Sequence, residues 1–343
     1  MRLRTRLERS LNALWYGERR SAMLLPISWL FRLLVVVRRA MYKSRLLRTK
    51  RLDVPVVVIG NITAGGTGKT PLVIWLARRL AEKGIRPGVV SRGHKAKRTR
   101  NPLEVISSTD VHFSGDEPLL IARRANCPVF VHRSRARAGM AMLGKYDVEV
   151  IICDDGLQHY KLHRDFEIVV VDSKRRFGNG AMLPAGPLRE PVSRIKQADF
   201  VIVNGGEEKF DGVLTIPMKL IPGMTTEIKT AKRKPLKEFS GQRIHAVAGI
   251  GNPGRFFDQL RMTGLDVIEH PFPDHTEYQL DDLFFNDELP IIMTEKDAVK
   301  CEVFALPNWW FVPTAAMVPT NMLEPLINEL KAIVEGNKRE ALE

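Results

Sequence analysis

The chain has 343 residues, which corresponds to about two domains on the usual scale of ~150 residues each. Its composition, 44% hydrophobic and 27% charged, is that of an ordinary globular protein. The three cysteines are far apart and have no Cys-x-x-Cys spacing, so the sequence indicates neither a zinc site nor a disulfide framework. A reducing, cytoplasmic setting is therefore expected.

The net charge of +14 is concentrated near the amino terminus. Residues 1–52 carry 14 Lys and Arg against two acids, a balance of +12, whereas the remainder is nearly neutral. Nucleic-acid binding typically places basic residues along one face of a whole domain. This uneven placement argues against nucleic acid as a partner.

The basic stretch surrounds an apolar run over residues 22–37. Sixteen residues reach only ~24 Å as a helix, and Arg32 near the middle disfavours insertion, so a transmembrane span is not expected. The late start and the lack of a small-residue cleavage site argue against a signal peptide. We favour a helix on the membrane surface, where basic residues attract anionic lipids; the alternative is a helix packed on the domain with solvated arginines.

The next stretch joins a strand to a glycine loop. Residues 54–59 are apolar and mostly β-branched, as in a strand buried on both faces of a parallel sheet. Glycines after it let backbone N–H groups surround an anion, Lys69 offers charge to β- and γ-phosphates, and Thr70 is a suitable magnesium ligand. The predicted phosphate-binding residues are Gly65, Gly66, Thr67, Gly68, Lys69 and Thr70.

This P-loop departs from the strict Walker pattern, because Thr63 stands where that pattern has glycine. The context of strand, glycine loop, Lys-Thr pair and helix is nevertheless complete. Pro71 suits the first turn of the following helix, and Gly84 is expected to end it. The positive amino-terminal end of that helix would face the bound phosphates.

A second motif places two acids after another apolar strand. Residues 148–153 form the strand, and Asp154 and Asp155 directly follow it. A Walker B strand has this arrangement, which brings a carboxylate beside the magnesium ion. Two adjacent carboxylates are costly to bury without a cation, so they indicate a metal nearby. Asp116 and Glu117 begin a predicted helix, where acids also complement the helix dipole without any catalytic role.

A Gly/Pro-rich loop and a second α/β unit make up much of the rest of the chain. The loop over residues 177–191 has several Gly and Pro turns around Asn179 and Arg189, which predicts a rigid loop over the active site. A second α/β unit follows, with strands at 244–250, 265–269, 290–297 and 308–312. Helices are expected at 255–263, around Leu280–Phe284 and at 322–335.

These motifs together resemble one family, the tetraacyldisaccharide 4'-kinases (lipid A 4'-kinases) of Gram-negative bacteria. The resemblance extends in order from about residue 15 to 315. The matching segments are 60–71, 91–93, 115–118, 154–159, 178–180, 184–190, 251–253, 272–275 and 294–297. Thr63 belongs to the P-loop of that family.

The resemblance implies an ATP- and Mg²⁺-dependent kinase that phosphorylates the 4'-hydroxyl of a tetraacylated glucosamine disaccharide 1-phosphate. The resemblance also implies that the protein would act at the cytoplasmic face of the inner membrane, as a peripheral or monotopic protein. Asp116 would be the catalytic base assisted by His275, with Lys69 and Arg189 also serving catalysis. Thr70, Asp154, Asp155 and Glu117 would hold the metal. No obligate protein partner is expected.

The expected fold is α/β: a P-loop NTPase-like parallel-sheet domain and a smaller α/β/α domain, after an N-terminal membrane-associated helix. The expected boundaries are 1–45 for the N-terminal element, 46–210 for the kinase domain, 211–240 for a connector with short extended segments and 241–343 for the smaller domain. Its last helix could pack back on the first domain. A membrane-associated P-loop ATPase or GTPase switch is the main alternative function, and it needs neither Asp116 as a base nor the loop at 184–190. A basic anion-binding module is weaker, because it leaves Asp154 and Asp155 unexplained.

Overall fold

The computed structural model describes residues 11–17, 21–93, 97 and 100–340. In that part of the chain the strands are β1 Val56–Gly60, β2 Pro87–Ser91, β3 Leu103–Glu104, β4 Val129–Val131, β5 Val150–Asp154, β6 Phe166–Asp172, β7 Phe200–Asn204, β8 Leu214–Pro222, β9 Thr225–Glu227, β10 Arg233–Lys234, β11 Arg243–Ala248, β12 Asp266–Pro271, β13 Ile291–Thr294, β14 Trp309–Val312 and β15 Thr314–Met317. The helices are α1 Leu25–Lys43, α2 Lys69–Glu82, α3 Val111–Ser114, α4 Asp116–Arg124, α5 Arg135–Leu143, α6 Pro253–Met262, α7 Glu295–Cys301 and α8 Thr320–Glu340.

The larger sheet has nine strands in the order β15-β8-β7-β6-β1-β5-β2-β4-β3. All neighbouring pairs from β8 to β4 are parallel, and only the two edge strands β15 and β3 run antiparallel to theirs. Strand β1 lies centrally and is fully buried, which explains its apolar, β-branched sequence. The predicted α/β class with a large parallel sheet is confirmed.

Apolar layers cover both faces of this sheet. One face buries side chains of α2 and α8, among them Leu72, Leu76, Leu323 and Leu330. The other face packs against α5 and the inner side of α1, where Phe31 and Val35 contact the core. The sheet therefore lies between two layers, and the carboxyl ends of its parallel strands face one edge, where α/β proteins bind ligands.

The smaller sheet has six strands in the order β10-β9-β14-β13-β11-β12. Its four strands from β14 to β12 are parallel, and β9 and β10 add an antiparallel edge. Phe239, Phe257 and Trp310 fill one face of it. The predicted strands at 244–250, 265–269, 290–297 and 308–312 all lie here, and the ends of all but the third differ by no more than two residues from the prediction.

The segment at 211–240 and the end of the chain connect the two sheets. Strand β8 joins the larger sheet and β9 and β10 join the smaller one, so this predicted connector contributes its extended segments to both. Strand β15 returns to pair with β8, and α8 buries Leu326 against the larger sheet. The last helix therefore packs on the first unit.

Two local predictions were wrong. The helix expected around Leu280–Phe284 is only a 3-10 turn at Leu280–Asp282, because Gln279 and Asp282 cap each other and Asn286 adopts a left-handed backbone. The strand expected at 290–297 ends at Thr294, because the Thr294 side chain caps helix α7, which begins at Glu295. The basic segment after β4 forms α5. Its start is marked by Ser134, whose hydroxyl accepts a hydrogen bond from the Arg137 backbone N–H at 3.4 Å.

Helix α1 has one face on the protein and one in solvent. Ser28 is buried and donates a hydrogen bond of 2.7 Å to the Met182 carbonyl. The outer face is apolar, and the exposed large hydrophobic side chains of the helix are Ile27, Trp29, Leu30, Leu33, Leu34, Val36 and Val37. No helix in the described part of the chain is both long and apolar enough to cross a membrane. Residues 1–10 and 18–20 of the predicted N-terminal element lie outside the described residues.

Candidate active site

The P-loop follows β1 and is held by two buried asparagines. Asn61 donates to the Gly65 carbonyl at 3.2 Å and accepts from Lys69 Nζ at 3.1 Å. Asn204, at the end of β7, donates to the Thr67 carbonyl at 2.9 Å. Sequence reasoning assigned neither asparagine a role, although both directly follow or end a buried strand.

Glycine is required at two points of this loop. Gly65 and Gly68 have φ of 100° and 95°, in the left-handed region that side chains disfavour. A Cβ on Gly68 would also lie 2.5 Å from Asn204 Nδ2. Helix α2 then begins at Lys69, with Pro71 in its first turn, so the predicted strand-loop-helix arrangement is confirmed and its amino-terminal end faces the loop.

The loop at 177–191 lies against the P-loop. Its Pro187 carbonyl accepts from the Ala64 N–H at 2.7 Å, and the Arg189 N–H donates to the Ile62 carbonyl at 2.7 Å. Asn179 donates to the Ala185 carbonyl at 2.9 Å across the loop. The predicted loop is therefore internally bonded and holds Arg189 beside the P-loop.

Asp154 ends β5 and Asp155 directly follows it; β5 pairs with β1 so that Ile59 lies opposite Asp154. Asp154 is fully buried; one oxygen accepts from Ser91 Oγ at 3.2 Å and Oδ1 has no hydrogen-bond partner. Burial, together with the charges of Glu117 and Asp155, raises the pKa of the Asp154 carboxyl to about 7. A buried carboxyl group with a raised pKa and an oxygen without a partner can bind a cation.

Asp155 differs from its neighbour because two cations face it. Lys69 Nζ lies 3.4 Å from Oδ1, and Arg189 Nη1 lies 3.4 Å from Oδ2. Burial opposes ionisation, but Lys69 and Arg189 outweigh it and hold the pKa of the Asp155 carboxyl below its ordinary value. Asp155 thus aligns the Lys69 and Arg189 side chains, both of which the sequence analysis assigned to the site.

The residues present fit a magnesium ion through their oxygen donors. Asp154 Oδ1 is buried without a partner, and Glu117 is its strongest charged neighbour. The described residues contain no group of three or more His, Cys, Asp or Glu arranged to hold a metal. Magnesium typically uses one or two protein carboxylates and takes its other ligands from water and phosphate.

Asp116 and His275 meet where the two units contact each other. His275 Nδ1 lies 3.0 and 2.9 Å from the two carboxylate oxygens of Asp116, which is buried at the start of α4. Burial would raise the pKa of Asp116, but Lys296, His275 and Lys300 outweigh burial and lower it. The carboxyl is therefore ionised and fixed in orientation.

Three cavities adjoin these groups. The first, of about 190 Å³, lies between the P-loop and the smaller unit and is lined by Gly66–Pro71, Gly251, Asn252 and Lys296. The second, of about 940 Å³, lies between α1 and the larger sheet and contains Asp155 and Arg189. The third, of about 240 Å³, is bordered by Asp116, His275 and Lys300. Glu117 lines both the first and the second cavity.

The second cavity is strongly basic. Its walls include Arg38, Arg92, Arg133, Arg135, Arg137, Lys161 and Arg189. His159, in the same wall, has a buried Nε2 without a hydrogen-bond partner. Burial, and then the positive charges of Arg135 and Arg164, lower the pKa of His159 to about 3. The cavity is suited to an anionic ligand that reaches it alongside α1.

The comparisons with known proteins agree on one family. The family model of the tetraacyldisaccharide-1-P 4'-kinases (LpxK) matches residues 20–331. The chain belongs to this family. The tetraacyldisaccharide 4'-kinase of Methylobacillus flagellatus is 47% identical over 324 residues, covering 94% of this chain and 96% of that protein. That of Nitrosococcus oceani is 48% identical over 308 residues, with 90% of each chain covered.

A solved structure of the same family supports the fold. LpxK from Aquifex aeolicus, described as an "apo" form in complex with ATP, superposes with a TM-score of 0.77 at 31% identity. The match covers 91% of this chain and 99% of that one. The predicted activity, ATP-dependent 4'-phosphorylation in lipid A biosynthesis, is confirmed by membership of the tetraacyldisaccharide 4'-kinase family, and the switch ATPase is not favoured.

Proposed function

We propose that phosphoryl transfer takes place where the P-loop, the carboxylates that end β5 and the Asp116–His275 pair converge. The 4'-hydroxyl of the acceptor gives its proton to the Asp116 carboxylate while its oxygen attacks the γ-phosphorus of ATP. The bond from that phosphorus to the bridging oxygen breaks, and ADP leaves. The observation that carries this proposal is the 2.9 Å contact between Asp116 and His275.

Gly65, Gly66, Thr67, Gly68, Lys69 and Thr70 are proposed to hold the phosphates of ATP, and the first cavity to hold the rest of the nucleotide. The backbone N–H groups of the loop and the start of α2 provide an anion site. Lys69 and Arg189, both aligned by Asp155, stabilise negative charge on the transferring group. Their role is positional and electrostatic, as is usual in phosphoryl transfer.

Thr70, Asp154, Asp155 and Glu117 are the residues proposed to hold Mg²⁺. When bound, the ion neutralises charge on the phosphates and orients them. Asp154 is the best direct ligand of the four, because its Oδ1 is unpartnered. Asp155 acts mainly through Lys69 and Arg189, which already face both of its oxygens.

The second cavity is proposed to take the anionic disaccharide of the lipid acceptor. Its arginines suit the 1-phosphate, since guanidinium groups bind phosphate through paired hydrogen bonds. Phe31 and Val35 of α1 line the same cavity, so acyl chains can leave along an apolar helix. Glu117, next to Asp116, joins this cavity to the one on the nucleotide side.

Helix α1 is proposed to lie on the cytoplasmic face of the inner membrane, as a peripheral or monotopic element. Its exposed Leu30, Leu33, Leu34 and Val37 follow the spacing of one helix face. This places the opening of the lipid cavity at the bilayer surface. The two sheets are proposed to be the centres of two domains that close over ATP, with no obligate protein partner and no nucleic acid.

Mass spectrometry of the disaccharide lipid after incubation with the protein and Mg-ATP tests this function. The wild type is expected to add one phosphate, and Asp116→Asn to lose transfer while it still binds ATP. Turnover by Asp116→Asn equal to that of the wild type would reject Asp116 as the base. Hydrolysis of ATP without a phosphorylated lipid would favour the switch ATPase.

A further inference from the structure

Lys296 lies among three carboxylates at the contact between the two units. Its Nζ donates to Glu117 Oε1 at 2.9 Å and to Asp274 Oδ1 at 3.1 Å, and lies 3.9 Å from Asp116 Oδ2. Only 14% of its side chain is exposed. The lysine comes from the first turn of α7, whereas Asp116 and Glu117 begin α4 on the larger sheet.

The partners of Lys296 are the chain neighbours of the proposed catalytic pair. Glu117 directly follows Asp116, and Asp274 directly precedes His275. One ammonium group therefore binds the residue next to each member of the pair. Glu117 and Asp274 belong to different units. Their shared contact with Lys296 therefore sets the separation between Asp116 and His275.

The backbone at His275 needs such a support. Its φ is 58°, in the left-handed region, and a residue other than glycine is held there at a cost of about 1–3 kcal/mol by its surroundings. The His275 N–H bond to the Gly249 carbonyl is long, at 3.3 Å. The charged bond from Lys296 to Asp274, at 3.1 Å, restrains this turn together with the 2.7 Å bond from Thr276 Oγ1 to the Pro273 carbonyl.

We propose that Lys296 is a positioning residue for phosphoryl transfer, which sets the geometry of Asp116 and His275 by holding Glu117 and Asp274. This inference rests on the proposed function of that pair. Lys296 touches neither the acceptor hydroxyl nor the transferring phosphorus in this role; it acts through its two carboxylate partners. Loss of its charge is expected to slow the chemical step and leave ATP binding in place.

Steady-state kinetics of Lys296→Met and Lys296→Arg test the proposal. Lys296→Met is expected to lower kcat by roughly 10- to 100-fold with KM for ATP changed by less than about threefold. Lys296→Arg keeps the charge and is expected to recover most of kcat. If Lys296→Met does not fold by circular dichroism, the isosteric Asp274→Asn removes the negative charge from the contact with Lys296 and is expected to lower kcat in the same direction.

A double-variant cycle with His275 separates positioning from a general structural effect. In the His275→Ala background, Lys296→Met is expected to lower kcat by less than about threefold, because the Asp116–His275 pair whose geometry it sets is already broken. Fully multiplicative losses would overturn the inference. A raised KM for ATP with kcat retained would also overturn it, because Lys296 would then be a nucleotide contact from the wall of the first cavity.

Arg123→Met is the matched control. Arg123 Nη2 donates to Glu302 Oε2 at 2.9 Å, so this pair also joins the larger unit to the smaller one but contacts neither Lys296 nor Asp116. It is expected to keep kcat near the wild type, and a loss equal to that of Lys296→Met would overturn the inference. Should His275→Ala retain full activity, the proposed function of the pair fails; normal kcat in Lys296→Met with an inactive His275→Ala rejects only the role of Lys296.

Discussion

His275 Nδ1 lies 2.9 Å from Asp116 Oδ2, although 159 positions separate the two residues in the chain. Asp116 begins a helix on the nine-stranded sheet, and His275 follows a strand of the six-stranded sheet. The pair is therefore formed only when the two units are in contact. The proposed proton acceptor and its proposed orienting group are brought together by the same contact that encloses the first cavity.

His275→Ala is expected to lower kcat by about 100-fold and to change KM for ATP little, because the imidazole orients the base and does not bind the nucleotide. The measurement is initial rate at saturating acceptor. His112→Ala is the matched control: this exposed histidine lines the same third cavity and has no hydrogen bond to Asp116. Equal losses in both variants would contradict an orienting role for His275.

Gly251→Ala is expected to weaken ATP binding and to destabilise the protein by roughly 1–3 kcal/mol, because the added methyl group overpacks the contact. A Cβ at Gly251 would lie 2.1 Å from the Gly66 backbone N, which cannot move without shifting the P-loop. KM for ATP and the melting temperature are the measurements. Gly254→Ala, three residues on, meets nothing within 4 Å and is expected to behave like the wild type.

The phosphate loop and the acids of β5 could be predicted from sequence because each is a contiguous signal. The Gly-rich loop needs only its own strand and helix, and Asp154 ends a strand whose apolar run is visible in the residues. Family resemblance then supplied the pairing of Asp116 with His275. Every site residue proposed from the sequence thus came either from a local pattern or from the family resemblance.

The supports of the site were not predictable because their partners lie far away in the chain. Arg175 donates to the Gly251 carbonyl at 2.7 Å across 76 positions, and Asn204 reaches the Thr67 carbonyl across 137. Lys296 meets Glu117 across 179 positions. Neither periodicity nor motif spacing indicates the partners of such residues, even for Lys296 in the matching segment 294–297, and only the packing of the two sheets brings them together.

Leu33→Ser with Leu34→Ser is expected to reduce co-sedimentation with anionic vesicles by at least about tenfold, since each buried leucine contributes roughly 1.5–3 kcal/mol. Both side chains are more than half exposed on the outer face of α1 and make no part of the core. The fold should therefore survive, which circular dichroism can check. Met262→Ser, on an 86% exposed residue of α6, is the control and is expected to leave vesicle binding unchanged.

Stability at acid pH depends on a histidine cluster in the smaller unit, away from the proposed site. His245 Nδ1 lies 2.8 Å from His270 Nε2, its Nε2 lies 3.0 Å from Asp287, and Phe285 stacks on both rings. Burial, and then the neighbouring His245, lower the pKa of His270 to about 4, while Asp287 acts in the opposite direction. The folded protein therefore resists protonating His270.

The sign of the pH effect follows from proton uptake. Between about pH 6.5 and 4 the imidazole of His270 is protonated in the unfolded chain and neutral in the folded one, so the unfolded state binds more protons. This contribution lowers stability as pH falls through that window. His270→Gln keeps a polar group near the position of Nε2 and removes the proton uptake, so its melting temperature should fall less than that of the wild type.

Thermal melts at pH 7.5, 6 and 4.5 compare His270→Gln with the wild type and with His112→Gln. Carboxylates also titrate over this range, so the informative quantity is the difference between the variants at each pH. His112 is exposed and lies outside the cluster, and its variant is expected to follow the wild type. Parallel curves for His270→Gln and the wild type would mean that His270 takes up its proton equally in both states, because only an unequal uptake makes stability depend on pH.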